Sequence, residues 1–259
     1  MHYFASDIHL GAGDPAAARE VERRFVAWLD QAGRDAESIF LVGDIFDFWF
    51  EYRRVVPKGF VRTLGKLAEL TDRGVRVVFL TGNHDMWVGD YLTRECGVEV
   101  YTAPQLLTLG GRRIFVAHGD NMNIDGQPML RLLNRIFRSR TLRWLFSWGV
   151  HPDWAMRFGH WWSGKSRKRH NDADRRAAET GGPEPLIAYA RSYATTHEVD
   201  DFVFGHMHFA RDYRDGALHV VHLGCWEKNP AYAVLDNRGV LSLRRLEEEE
   251  PLPAKNGTR

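Results

Sequence analysis

Five times in this chain a short apolar run ends in a turn that carries aspartate, histidine or asparagine. That repeated pairing restricts the fold more than any other feature. Phe4 and Ala5 lead into Asp7 and His9, Ile39 to Val42 lead into Gly43 and Asp44, and Val75 to Leu80 lead into Gly82 and Asn83. Ile114 to Ala117 precede His118, and Phe202 to Phe204 precede Gly205, His206 and His208. Such runs read as strands buried on both faces, as in parallel sheets covered by helices. In an open α/β sheet the residues just past the strand ends converge on one rim. Side chains as far apart in sequence as Asp7 and His208 are thereby expected to meet.

The residue types suit a pair of divalent ions. Carboxylate, imidazole and amide oxygen together fit borderline metals, with Mn²⁺ the first expectation and Fe²⁺ or Zn²⁺ also accommodated. Two ions about 3.5 to 4 Å apart need a bridging carboxylate, and Asp44 is the natural candidate. Such a pair lowers the pKa of bound water, presents hydroxide in line with phosphorus and stabilises charge on the non-bridging oxygens. No serine or cysteine nucleophile is required. The glycines before Asp44, Asn83 and His206 fit turns where backbone passes close to a metal or phosphate. Taken singly, Gly43-Asp44 also reads as an ordinary turn and His118 as a satisfied buried histidine. Taken jointly, the seven positions read as one centre. His2, His197, His219 and His222 lack that context and read as structural or exposed.

Between the runs the spacing predicts helices. Val21, Phe25, Trp28 and Leu29 mark one over Pro15 to Ala32, stopped by Gly33, and Leu64, Leu67, Ala68 and Leu70 mark another over Phe60 to Thr71. This is a βαβαβ opening and hence a parallel core. Short strands are predicted at Leu106 to Leu109 and Arg113 to Ala117 around a Gly110-Gly111 hairpin. More follow at Ala217 to Leu223, Ala231 to Leu235 and Val240 to Leu243, with a turn at Asp236 to Gly239. The acidic, proline-containing stretch 247–259 reads as a solvated, disordered tail.

A chain of 259 residues can bury a full core. Its net charge of +1 gives no global attraction to nucleic acid. Two cysteines, Cys96 and Cys225, without a CxxC spacing, argue for a reducing compartment. The opening residues read as a strand rather than a signal peptide, and no apolar stretch approaches the roughly 20 residues of a membrane span.

The region between His118 and His206 is different in kind. Pro128 to Trp148 has helical spacing, and Trp154 to Trp162 is a shorter candidate. From Arg131 through Arg169 there are ten Lys or Arg against one acid, Asp153, and five of the chain's nine tryptophans, Trp144, Trp148, Trp154, Trp161 and Trp162. This composition suits a surface meeting anionic headgroups, or a pocket for an acylated, phosphorylated substrate. It also suits a helical hairpin with its tryptophans in a core, or a nucleic-acid groove with stacking aromatics.

As a set, Asp7-Ile-His9, Gly43-Asp44, Gly82-Asn83-His84-Asp85, His118-Gly119-Asp120 and Gly205-His206-Met-His208 resemble the calcineurin-like metallophosphoesterases, over roughly Met1 to Asp120 and Asp200 to Asp236. The resemblance implies an α/β fold of two packed mixed β-sheets flanked by helices. It also implies Asp7, His9, Asp44 and His208 on one metal, and Asp44, Asn83, His118 and His206 on the other. An insertion between the fourth and fifth blocks, with the surroundings Gly43-Asp44-Ile-Phe-Asp47-Phe-Trp49 and His118-Gly119-Asp120-Asn121, further resembles the UDP-2,3-diacylglucosamine hydrolases of lipid A biosynthesis. In those enzymes water attacks a pyrophosphate, giving UMP and an acylated glucosamine 1-phosphate, beneath a helical cap that holds acyl chains.

The expectation is a core of 1–122 and 198–246, a helical cap of 123–197 and the tail. The enzyme would act on an anionic nucleotide-linked lipid at the cytoplasmic face of the inner membrane, with no nucleic acid and no obligate protein partner. Asn121, Trp161, Trp162, Ser163, Lys165, Arg167 and Lys168 would contact substrate. The sequence departs from those hydrolases at His84, where they commonly carry arginine. His84, with Asp85 as an orienting partner, could supply fixed charge or a proton, and the latter suits an alcohol leaving group. Another phosphodiesterase or phosphatase, acting on a nucleotide, phosphoprotein or phospholipid, therefore stays open, as does a non-catalytic adaptor on the same scaffold.

Overall fold

The computed structural model describes residues 1–122, 136, 139–165, 184–227 and 229–246. Arg167 and Lys168, and the 247–259 tail, lie outside the described residues. The strands are β1 (His2–Ala5), β2 (Ser38–Val42), β3 (Arg76–Leu80), β4 (Glu99–Tyr101), β5 (Gln105–Leu109), β6 (Arg112–Ala117), β7 (Asp201–Phe204), β8 (Ala210–Asp215), β9 (Leu218–Leu223), β10 (Ala231–Leu235) and β11 (Leu241–Arg245). The helices are α1 (Pro15–Ala32), α2 (Val61–Asp72), α3 (Tyr91–Cys96), α4 (Arg140–Gly149), α5 (152–165) and α6 (Pro185–Ala194).

Six strands form one sheet in the order β11-β10-β1-β2-β3-β4, and five form a second in the order β5-β6-β7-β9-β8. β1, β2 and β3 run parallel, as do β6, β7 and β9. Each run is buried on both faces because each sheet has two coverings. Phe4, Phe40, Val78 and Leu80 from the first sheet meet Val116, Val203, Val221 and Leu223 from the second, making the interior of a sandwich. The alternate residues Tyr3, Ile39, Leu41, Val77 and Phe79 turn outward onto Phe25, Trp28, Leu29, Leu67 and Leu70 of α1 and α2. α1 begins where Asp14 accepts hydrogen bonds from the N–H groups of Ala16 and Ala17, with Pro15 in the first turn.

The outer face of the second sheet is covered by α6, whose Leu186, Ile187 and Ala190 pack on Phe115, Ala117, Phe202, Phe204 and Val220. This helix, within the 123–197 stretch expected as the cap, packs on the sandwich. Two strands escaped prediction. β8, with the polar sequence Ala-Arg-Asp-Tyr-Arg-Asp, is an edge strand whose residues are exposed or half-buried, and β4 is three residues long. The hairpin between β5 and β6 turns on Gly110 and Gly111, both at positive φ, as a two-residue turn of its kind requires.

α4 and α5 sit over the loops that follow β2 and β3. Phe146 packs against Phe50 and Trp87, with ring centroids 5.1 and 5.8 Å apart. Tyr52 donates to the Val150 carbonyl at 3.0 Å. A side chain at Gly159 would overlap the Phe48 ring at 2.3 Å, so α5 touches the core through glycine. Trp144, Trp148, Trp154, Trp161 and Trp162 are 44 to 83% exposed. The reading that buries them in a hairpin core is overturned, because α4 and α5 use Phe146, Ala155 and Gly159 for their contacts instead.

Away from the rim, Asp201 at the start of β7 is buried and accepts from Arg112 Nε at 2.6 Å and shares a 2.6 Å hydrogen bond with His219 Nδ1. Burial alone raises its carboxyl, but these partners hold it below the ordinary value. The stability from this cluster is therefore present above the usual carboxylate range and is lost as pH falls through the depressed value. Asp201→Ala is expected to cost about 3 kcal/mol in urea unfolding, since it leaves His219 and Arg112 without their shared anion. A change within about 0.5 kcal/mol would mean the cluster is electrostatically idle.

Candidate metal centre

Parallel strands place their C-terminal ends on one side, and in this sandwich both sheets do so at the same rim. Asp7 follows β1, Asp44 follows β2, Asn83 follows β3, His118 follows β6 and His206 follows β7. Hydrogen bonds stitch the turns together. Asp7 N–H donates to the Gly43 carbonyl at 3.1 Å, His9 N–H to Asp44 O at 3.0 Å, and His206 N–H to Asp7 Oδ2 at 2.9 Å. The glycines are there for proximity. A Cβ at Gly82 would lie 2.1 Å from Asp44 Oδ1, and one at Gly205 would lie 2.0 Å from Ser6 Oγ and 2.9 Å from His118 Nδ1.

Asp7, His9, Asp44 and His206 all have positive φ, and Phe60 is the one other non-glycine residue so placed among those described. A conformation that L-residues adopt at a cost recurs at four ligand positions, where it turns the side chains off the strand line and into one space.

All seven predicted ligands are brought together. His118 Nε2 lies 3.3 Å from both Asp44 Oδ2 and Asn83 Oδ1. Its Nδ1 donates to the Val42 carbonyl at 2.9 Å, which leaves Nε2 facing the Asp44 and Asn83 oxygens. The His206 and His118 rings lie 5.2 Å apart, edge to face. On the other side, His208 Nε2 is 3.5 Å from Asp7 Oδ1 and 3.4 Å from His9 Nε2, and His9 Nε2 is 3.8 Å from Asp7 Oδ1.

The residues fit a metal pair on their own geometry. Asp7 Oδ1 is fully buried with no hydrogen-bond partner, a placement that costs free energy unless a cation meets it. Ligand atoms of Asp7, Asp44 and His118 lie within 4.8 Å of one another, as do those of His9, Asp44 and His84, and those of His9, His208 and Cys225. Asp44 belongs to two of these groups, in keeping with a bridging position. Burial raises its carboxyl, but His118 and His84 facing it hold it well below the usual range.

The residues expected beside the metals divide differently. Asp85 does not orient His84. Its buried carboxyl accepts from Gly82 N–H at 2.7 Å and Ile45 N–H at 2.8 Å, tying the Asp44 turn to the Asn83 turn. Burial, then the nearby charge of Asp44, raises it to about 7. His84 is oriented by Asp47, whose carbonyl accepts from Nδ1 at 2.9 Å. Its Nε2 faces Asp44 Oδ2 at 3.9 Å. Asp47, which sequence reasoning did not single out, also meets the cap. Its carboxylate lies 3.3 Å from His160 Nδ1, and its carbonyl accepts from Ser163 Oγ at 2.5 Å.

Ser163 is buried with its hydroxyl on the Asp47 carbonyl, and it lines the cleft between α5 and the core. Lys165 lies over the Trp161 ring at 5.4 Å, on the exposed side of α5. Asn121 lines a small cleft with Tyr101, His118 and Asp120 beside the rim. Trp162 joins Phe48, Met86, Trp87 and Phe158 in an apolar cleft between cap and core that ends on Asn83 and His84. His219 and His222, facing Asp201 and Glu184, lie outside the ligand set.

Residues 3–210 match the family of calcineurin-like phosphoesterases. A UDP-2,3-diacylglucosamine hydrolase from Porphyromonas gingivalis is 39% identical, over 96% of this chain and 98% of that one. Proteins of the same name from Edwardsiella ictaluri and Haemophilus influenzae are each 27% identical. They cover 92% and 88% of this chain, and 89% and 92% of their own lengths.

Proposed function

This chain belongs to the calcineurin-like phosphoesterase family, and from that premise we propose that it hydrolyses the pyrophosphate of UDP-2,3-diacylglucosamine, releasing UMP and 2,3-diacylglucosamine 1-phosphate. Asp7, His9, Asp44 and His208 would hold one divalent ion, and Asp44, Asn83, His118 and His206 the other, with Mn²⁺ first and Fe²⁺ or Zn²⁺ suited by the same mixed donors. When bound, such a pair supplies a hydroxide at neutral pH and Lewis-acid stabilisation of phosphoryl oxygens.

The observation that carries the lipid substrate is the apolar cleft of Phe48, Met86, Trp87, Phe158 and Trp162, which runs from the cap to Asn83 and His84. An acyl chain lying in it would bring an attached sugar phosphate to the rim, with binding strength from apolar area. The full-length similarity to hydrolases of that substrate supports the same reading.

His84 offers Nε2 beside Asp44 while Asp47 holds the ring by Nδ1. In this setting it would place positive charge or a proton at a phosphoryl or leaving oxygen. That residue also favours a second reading, a phosphodiesterase with an alcohol leaving group, which benefits from a proton donor more than a pyrophosphate does.

Lys165, together with Arg167 and Lys168, would meet phosphate or headgroup. The exposed tryptophans of α4 and α5 would seat the cap at the cytoplasmic face of the inner membrane, ring edges at the interface. Among the described residues no helix is long and apolar enough to cross a membrane. The proposed division is a catalytic sandwich carrying α6, and a cap of α4 and α5.

The test is release of UMP from UDP-2,3-diacylglucosamine in mixed micelles. Activity should require detergent or lipid, and Trp161→Ala with Trp162→Ala should lower kcat/KM about tenfold or more, the loss of two aromatic contacts to the lipid of about 1 kcal/mol each. Turnover of soluble diesters at comparable efficiency, unaffected by either change, would favour the second reading.

A further inference from the structure

The turn after β9 repeats the pattern of the ligand blocks, yet the function proposed above leaves it unused. β9 is a largely buried strand, Gly224 follows it at φ 74°, and Cys225 comes next. β9 lies parallel to β7, so its end reaches the same rim. There His9, His208 and Cys225 each present a ligand atom, all within 4.8 Å of one another.

This turn is held from both sides. A Cβ at Gly224 would lie 2.9 Å from the Ala210 backbone nitrogen, so the residue before the cysteine presses on the chain that follows His208. The residue after it, Trp226, donates its N–H to the Asp7 carbonyl at 3.1 Å. The Trp226 ring is fully buried against Phe25 and Trp28, and its Nε1 donates to the Ala231 carbonyl at 3.1 Å. Cys225, itself half-buried, is thereby fixed between the turns that carry Asp7, His9 and His208.

We infer that Cys225 Sγ is a further ligand to the ion held by His9 and His208, making that end of the centre a sulfur-bearing site for a thiophilic divalent cation. The inference rests on the binuclear reading proposed above. As the metal–sulfur bond forms, the S–H bond breaks and its proton leaves to solvent, with no change of oxidation state. Soft sulfur favours Zn²⁺, Fe²⁺ or Cd²⁺ over Mn²⁺, whereas the Asn83, His118 and His206 end keeps oxygen and nitrogen donors alone. The two ends therefore differ in preference, and the chain is suited to a mixed pair of ions.

The full-length chain, stripped with chelator and titrated with Co²⁺ to saturation, reads this directly by absorption. Sulfur bound to Co²⁺ gives an intense near-ultraviolet charge-transfer band beside the visible ligand-field bands. The band is expected in the unmodified chain and in Cys96→Ser, and should be lost in Cys225→Ser while the visible bands remain. Cys225→Ser should also weaken Zn²⁺ binding by about tenfold or more while changing Mn²⁺ binding by less than about threefold. Visible bands without the sulfur band in the unmodified chain would overturn the sulfur ligand and leave the binuclear reading standing. Failure to bind Co²⁺ at all would overturn both. A band that survives Cys225→Ser would again remove Cys225 from the centre.

Discussion

Asp44→Ala is expected to lower kcat/KM on the order of 10³-fold or more and to reduce bound metal below two ions per chain. The reason lies in its double membership. Asp44 is buried, faces His118 and His84, and shares one group of ligand atoms with Asp7 and His118 and another with His9 and His84. Its removal would take away the carboxylate proposed to bridge the two ions. Several kcal/mol of transition-state stabilisation depend on that pair, and each 1.36 kcal/mol is about tenfold in rate. Elemental analysis and steady-state kinetics on the same preparation read both effects. An adaptor with no catalytic role would keep its function in this variant, and an enzyme would not.

His84→Ala should lower kcat on the order of 10²-fold, the usual contribution of a positioned acid or charge donor, while both metals stay bound. The separation is possible because His84 takes its orientation from the Asp47 carbonyl, not from another ligand. It is a demanding prediction, since the His84 ring also comes within ligand distance of His9 and Asp44. Loss of a metal together with rate would recast it as a further ligand. His84→Arg separates charge from proton transfer. Restored pyrophosphate cleavage would assign His84 to charge stabilisation, and activity left as low as in the alanine variant would assign it to proton donation.

The convergence of these seven residues was legible because it is written locally. A strand that ends in glycine and a donor residue needs no tertiary knowledge to be noticed, and parallel pairing brings every such end to one rim. The same signal stood at Leu223-Gly224-Cys225, but a cysteine reads first as a redox marker, so it was passed over. Side-chain direction was not legible. Asp85 follows His84 and looks like its partner, yet the two side chains point to different groups, and the Asp85 carboxyl meets backbone N–H groups of two loops. Asp47 became the orienting residue only because α5 and the Asn83 turn close over it. β8 was missed because an edge strand exposed to solvent carries no apolar pattern. The packing of α6 was not legible because position between two such blocks says nothing about which surface a helix covers.

The central claim is that the residues at this rim hold two ions, and anomalous diffraction from crystals grown or soaked with Mn²⁺ tests it most directly. Two peaks about 3.5 to 4 Å apart are predicted, with Asp44 between them, Asp7, His9 and His208 around one and Asn83, His118 and His206 around the other. A rim without anomalous density under saturating metal, or ions bound elsewhere with these side chains turned apart, would contradict the account.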